Sequence, residues 1–108
     1  MTELEARTVC IDLDGTVCRS VPTAYADAEP IPGAVAAIRQ LRRDGWIVVL
    51  YTARHFNHWK VTKEWLSAHE IEYDQIVFGK PPARYYVDDR AIRFDASWPA
   101  VLRRLSEA

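Results

Sequence analysis

The stretch Val9-Cys10-Ile11-Asp12-Leu13-Asp14-Gly15-Thr16-Val17 places two carboxylates two residues apart at the end of an apolar run. A buried strand does not tolerate charge in its middle. Acids where a strand stops therefore point to a cleft beyond it. Gly15 lets the chain turn away directly after the second acid. The reading of everything else follows from this ending and from whether other strands end in the same way.

Outward from that stretch, residues 8–13 read as a first strand. Residues 17–32 carry Pro22, Pro30 and Pro32 among small residues and read as a loop or flap. Pro32-Gly33 opens a helix to about Asp44, with Ala34, Val35, Ile38 and Leu41 as its apolar stripe and Gly45 following its end. Residues 46–51, WIVVLY, are apolar without alternation, the pattern of a strand covered on both faces. Asn57 is placed to cap a helix from about His58 to His69, with Val61, Trp65 and Leu66 inward and Trp59 packing with Trp65. Ile76–Phe78 and Tyr85–Val87 read as third and fourth strands and Ile92–Phe94 as a short edge strand. Ser97 caps a last helix bearing Val101, Leu102 and Leu105. Strands alternating with helices predict an α/β fold: a Rossmann-like parallel sheet with helices on both faces, three layers in all.

The polar groups then fall at four strand ends. They are Asp12 and Asp14, Thr52 with Arg54, Lys80, and Asp88 with Asp89. Four carboxylates near one another repel unless a hard cation lies among them, and Mg²⁺ takes carboxylate, carbonyl and phosphate oxygens together. Thr52 can donate a hydrogen bond to a phosphoryl oxygen, and Lys80 supplies positive charge. His55 and His58, three residues apart with no nearby cysteine, read as solvated or capping histidines.

Asp12-Leu13-Asp14-Gly15-Thr16 resembles the DxDGT signature of the haloacid dehalogenase superfamily. Thr52, Lys80 and Asp88-Asp89 resemble its second, third and fourth motifs, in the family's order. The resemblance covers about residues 8–90. It implies a Mg²⁺-dependent phosphomonoester hydrolase that works through an aspartyl-phosphate. Asp12 would be the nucleophile and Asp14 the acid and base. The phosphoryl group would be held among Gly15, Thr52, Ala53, Arg54 and Lys80, and the metal by Asp12, Asp14, Asp88 and Asp89. The intervals between motifs leave no room for either kind of cap domain, so the expectation is a minimal capless core. A neighbouring subunit of a homo-oligomer, or a large substrate, would cover the open site. The TAR run at Thr52–Arg54 and the GKP and YYVDD segments are similar to those of phosphatases of sugar-phosphate or capsular-polysaccharide metabolism.

At 108 residues and 49% hydrophobic, the chain suits one domain, residues 1–108, with a core of its own. A net charge of −1 disfavours nucleic acid as partner and leaves a polynucleotide-end phosphatase as the second substrate reading. A phosphotransferase or a receiver-type phosphoacceptor module would draw on the same kinds of group. Asp14 argues against the receiver, which lacks an acid two residues after its phosphoacceptor. Cys10 is expected in the core and Cys18 partly exposed, with no disulfide between them. No apolar run is long enough to span a membrane. MTELEART lacks a signal-peptide core, which makes the cytoplasm the expected location.

Overall fold

The computed structural model describes residues 1–22 and 24–108, so Thr23 of the predicted flap lies outside the described residues. A single helical turn, α1 (Glu3–Ala6), comes first. Thr2 and Glu5 close a capping box around it, a signature not singled out in the sequence. Three strands follow, β1 (Thr8–Asp12), β2 (Ile47–Thr52) and β3 (Gln75–Phe78). They form one parallel sheet in the order β1-β2-β3. The register sets Asp12 beside Tyr51 and Thr52 beside Phe78. The carboxyl ends of all three strands thus lie along one edge of the fold.

Helix α2 (Ala34–Arg43) links β1 to β2, and α3 (Trp59–Ala68) links β2 to β3. Gly33 starts α2 with φ at 87°, a conformation glycine adopts without strain. Ala34, Ile38 and Leu41 are buried, as the stripe predicts, and Ala37 joins them, while Val35 is half-buried. Helix α3 begins one residue later than expected. A 3₁₀ turn, Phe56–His58, precedes it, and its cap is the ring of His55, which accepts from the Asn57 N–H. Asn57 is therefore the donor in that cap and not the capping side chain. Trp65 and Leu66 face inward together with Thr62, and Trp59 stays exposed. Helix α4 (Trp98–Ser106) is capped by Ser97 and packs against α2.

The architecture is α/β with a parallel sheet, as expected, but among the described residues it has two layers and three strands. Right-handed crossovers that always step in one direction leave their helices on one face. Val48, Leu50 and Thr52 on that face are buried. The opposite face carries Cys10, Gln75 and Val77, all exposed. The WIVVLY run is therefore covered on one side and half-covered on the other. The exposure of the two cysteines is the reverse of expectation for the same reason. Cys10 alternates with Ile11 onto the uncovered face, whereas Cys18 lies at 0% exposure beneath the flap.

The expected strands at Tyr85–Val87 and Ile92–Phe94 do not form. Residues 79–97 contain neither helix nor strand. Pro81 and Pro82 supply no N–H to a ladder, and three apolar residues before Asp88 are a short strand with nothing to bury them. Phe94 still packs on Trp98, with ring centroids 5.3 Å apart. Among the described residues no helix is long and apolar enough to cross a membrane.

Candidate active site at the strand ends

Three of the four predicted motifs come together. Asp12 ends β1, Thr52 ends β2, and Lys80 follows β3 by two residues. The backbone N–H groups of Gly79 and Lys80 both donate to the Thr52 carbonyl, each at 3.0 Å. This pins the lysine to the end of β2. Lys80 Nζ then lies 3.5 Å from Asp12 Oδ1, between the rings of Tyr51 and Tyr86 at 4.6 and 4.2 Å. Burial raises the Asp12 carboxyl above its ordinary value. The nearby Asp14 charge adds to the effect, and Lys80 and the Leu13 N–H offset it only in part.

The turn after β1 is closed by Leu13, whose carbonyl accepts from the N–H groups of Thr16, Val17 and Cys18, and by Gly15, which donates to the Cys18 carbonyl. Gly15 takes φ of 86°. The same turn is held from behind by Trp98, whose indole N–H donates to the Thr16 carbonyl at 3.0 Å. The flap is ordered at its base by the Cys18–Pro30 bridge and by Trp65, which donates to the Ala28 carbonyl at 2.8 Å.

Asp14 stands apart from Asp12 in its partners. Arg54 Nε reaches Asp14 Oδ2 at 2.9 Å and Nη2 reaches Oδ1 at 2.8 Å, a two-pronged ion pair. The Arg54 side chain is 2% exposed and that of Asp14 24%. Arg54 Nη1 also donates to Thr62 Oγ1 at 3.0 Å, and the Tyr25 ring stacks 3.8 Å from the guanidinium. Cys18 Sγ lies 3.6 Å from Asp14 Oδ1. Burial, with the Asp14 charge adding to it, pushes the Cys18 thiol up to about 12, so it remains a neutral thiol. The Thr52 hydroxyl oxygen accepts from the Arg54 N–H at 3.0 Å, which leaves its proton free to donate elsewhere. Ala53 lies between them in the same turn, exposed.

Asp88 and Asp89 are exposed, and Asp88 Oδ1 accepts from the Arg90 N–H. Among the described residues no three acidic, histidine or cysteine side chains gather as a metal site. The contacts seen at the strand ends are thus those of Asp12, Asp14, Thr52 and Lys80, while Asp88 and Asp89 are exposed. His55 serves as the cap described above, and His58 meets the Tyr25 ring edge-on at 5.1 Å. The supporting residues Tyr25, Thr62 and Trp98 were not legible as such. Thr62 had one signal, a hydroxyl on the apolar stripe of α3 that burial obliges to find a partner.

No curated protein matches the chain. Solved structures resemble it throughout. A structural-genomics target from Vibrio cholerae superposes with a TM-score of 0.75 at 26% identity, covering 94% of this chain and 97% of its own. A conserved protein from Bacteroides thetaiotaomicron gives 0.68 at 19%, covering 93% and 89%. A chain of the Pnkp1/Rnl/Hen1 complex gives 0.59 at 22%, over 76% of this chain and 30% of that one. The fold is haloacid-dehalogenase-like. Residues 9–93, from the first strand through all four motifs, match the family model for the LNS2 domain of PITM 1-3. With most of its length inside that match, the chain belongs to the LNS2 domain family.

Proposed function

We propose that this chain hydrolyses phosphomonoesters through an aspartyl-phosphate on Asp12, with a small phosphorylated metabolite such as a sugar phosphate as substrate. The observation that carries the reading is the meeting of Asp12 and Lys80 at 3.5 Å at the strand ends, with Asp14 fixed two residues on. The LNS2 match supports it, since that domain is a phosphatase-type haloacid-dehalogenase-like domain.

The chemistry proceeds in two displacements. An Asp12 carboxylate oxygen attacks phosphorus and the bond to the ester oxygen breaks; Asp14, having taken up a proton on an oxygen lone pair that Arg54 does not use, delivers it to the ester oxygen. Water then attacks the aspartyl-phosphate, giving its proton back to Asp14. The phosphorus–oxygen bond to Asp12 breaks and inorganic phosphate leaves. The Lys80 ammonium offsets charge on the phosphoryl oxygens, and the Thr52 hydroxyl donates to one of them. Lys80 is held in place before substrate arrives, so little reorganisation is needed.

The donor set fits a hard cation in part. The Asp12 carboxylate and the Asp14 carbonyl would hold Mg²⁺, which would neutralise charge on the phosphoryl oxygens. Asp88 and Asp89 would complete its shell by closing onto the free edge of β1. Eight residues from Lys80 can reach roughly 27 Å when extended, ample for that closure. The test is release of phosphate from p-nitrophenyl phosphate and from panels of sugar phosphates, nucleotides and 3′-phosphorylated oligonucleotides, with and without a chelator. Turnover that needs Mg²⁺, and that Asp12→Asn abolishes, is the expected result. Undiminished turnover in Asp12→Asn removes Asp12 as nucleophile, and a preference for the oligonucleotides replaces the metabolite reading.

A further inference from the structure

We infer that Arg54 is a positioning residue that aims Asp14, and not a clamp for the substrate phosphate; this rests on the phosphatase reading above. Its location one residue past Thr52 and Ala53, at a strand end, would suit a phosphate clamp. The contacts say otherwise. Nε and Nη2 both go to the two oxygens of Asp14, Nη1 goes to Thr62, and the backbone N–H goes to Thr52 Oγ1. One face of the guanidinium is covered by Tyr25 at 3.8 Å, and the side chain is 2% exposed. Cys18 Sγ lies 3.7 Å from Nη2. A guanidinium so enclosed, with its fork engaged by Asp14 and its side chain 2% exposed, is turned away from an anion in the cleft. Lys80, by contrast, points its ammonium at Asp12, 3.5 Å away, where a phosphoryl group bonded to Asp12 would sit.

The planar fork of arginine fixes the plane of a carboxylate, because two parallel N–H bonds leave it one orientation. Asp14 has no other side-chain partner of comparable strength among the described residues; the Cys18 thiol at 3.6 Å is a weak donor. The orientation of Asp14 is therefore inherited from Arg54. That of Arg54 comes in turn from Thr62 on α3 and Tyr25 on the flap. Proton delivery to the leaving oxygen depends on this chain of contacts, and phosphate binding does not.

Substrates that need no proton separate the two roles. The p-nitrophenolate group departs unaided, whereas an alkyl alkoxide must be protonated. The experiment compares kcat/KM for p-nitrophenyl phosphate and for an alkyl phosphate, and the Ki of inorganic phosphate, in wild type, Arg54→Lys, Arg54→Gln and Thr62→Val. Melting temperatures confirm that each variant is folded at the assay temperature. A positioning role predicts that Arg54→Gln lowers kcat/KM for the alkyl ester by about 10²-fold. The aryl ester falls far less, and phosphate Ki stays within about 3-fold. Arg54→Lys restores the ion pair but not the fork and recovers only part of the loss. Thr62→Val, which keeps the arginine, shows the same selectivity at smaller size. Equal losses on both esters with a weakened phosphate Ki in the Arg54 variants would make Arg54 a clamp and overturn the inference; where those variants do not fold, the same pattern in Thr62→Val overturns it. A wild-type protein inert toward both esters would instead remove the phosphatase reading and the inference with it.

Discussion

Replacing Asp14 by asparagine tests the burial of the ion pair directly. Arg54 is 2% exposed and Asp14 24%, so the charge left behind after the substitution is the buried one. Removing one partner of a buried pair typically costs about 3–5 kcal/mol. The asparagine carbonyl still accepts one N–H from the fork, which places this case at the low end, about 3 kcal/mol. For a chain of this length each kcal/mol moves the melting temperature by about 4 °C, so a fall of about 12 °C is expected. Asp12→Asn, two residues earlier, should behave oppositely. Burial holds the Asp12 carboxyl above its ordinary value, so its charged form is disfavoured in the folded state. The neutral amide therefore keeps or raises the melting temperature at pH 7. That difference closes as pH falls through the folded value of Asp12 toward the ordinary value of 3.8. Differential scanning calorimetry at pH 7 measures both. An Asp14→Asn protein melting within about 3 °C of wild type would refute the enclosure of Arg54, and with it the orientation argument.

Asp74 gives a pH prediction of the other sign. Its carboxylate accepts from the Val48 N–H at 2.8 Å and from Arg42 at 3.1 Å, which together lower its pKa below 3.8. Its stabilisation is complete above 3.8 and is lost as pH falls through the lower folded value. The urea midpoints of wild type and Asp74→Asn should thus differ at pH 6 and converge below that range. Thiol reagents at pH 8 should label Cys10 rapidly in the native protein and Cys18 only after unfolding, since Cys18 is enclosed and its pKa is about 12. Two fast thiols in the native state would contradict the enclosed turn.

The parts of the fold legible in the sequence are those in which one residue type has one structural use. Asp12, Thr52 and Lys80 follow apolar runs, and charge at the end of a buried strand has nowhere to go but a cleft. The Ser97 cap and the α2 stripe are equally local. Cys10 and the WIVVLY run misled for the opposite reason. An apolar side chain fits a covered face and a bare one alike, and only the direction of the crossovers decides which it meets. Tyr85–Val87 has strand composition, but a strand also needs a neighbour, and composition does not supply one.

By itself, then, the sequence determined β1, β2, β3 and the three longer helices, and the positions of the acids, threonine and lysine at the strand ends, because each is signalled within a short stretch of residues. Tertiary structure alone decided that Arg54 turns to Asp14 across 40 residues and that Trp98 anchors the Thr16 turn across 82. Those pairings depend on how three strand ends and a flap come to share a few ångströms of space. No local preference of the chain encodes that distance.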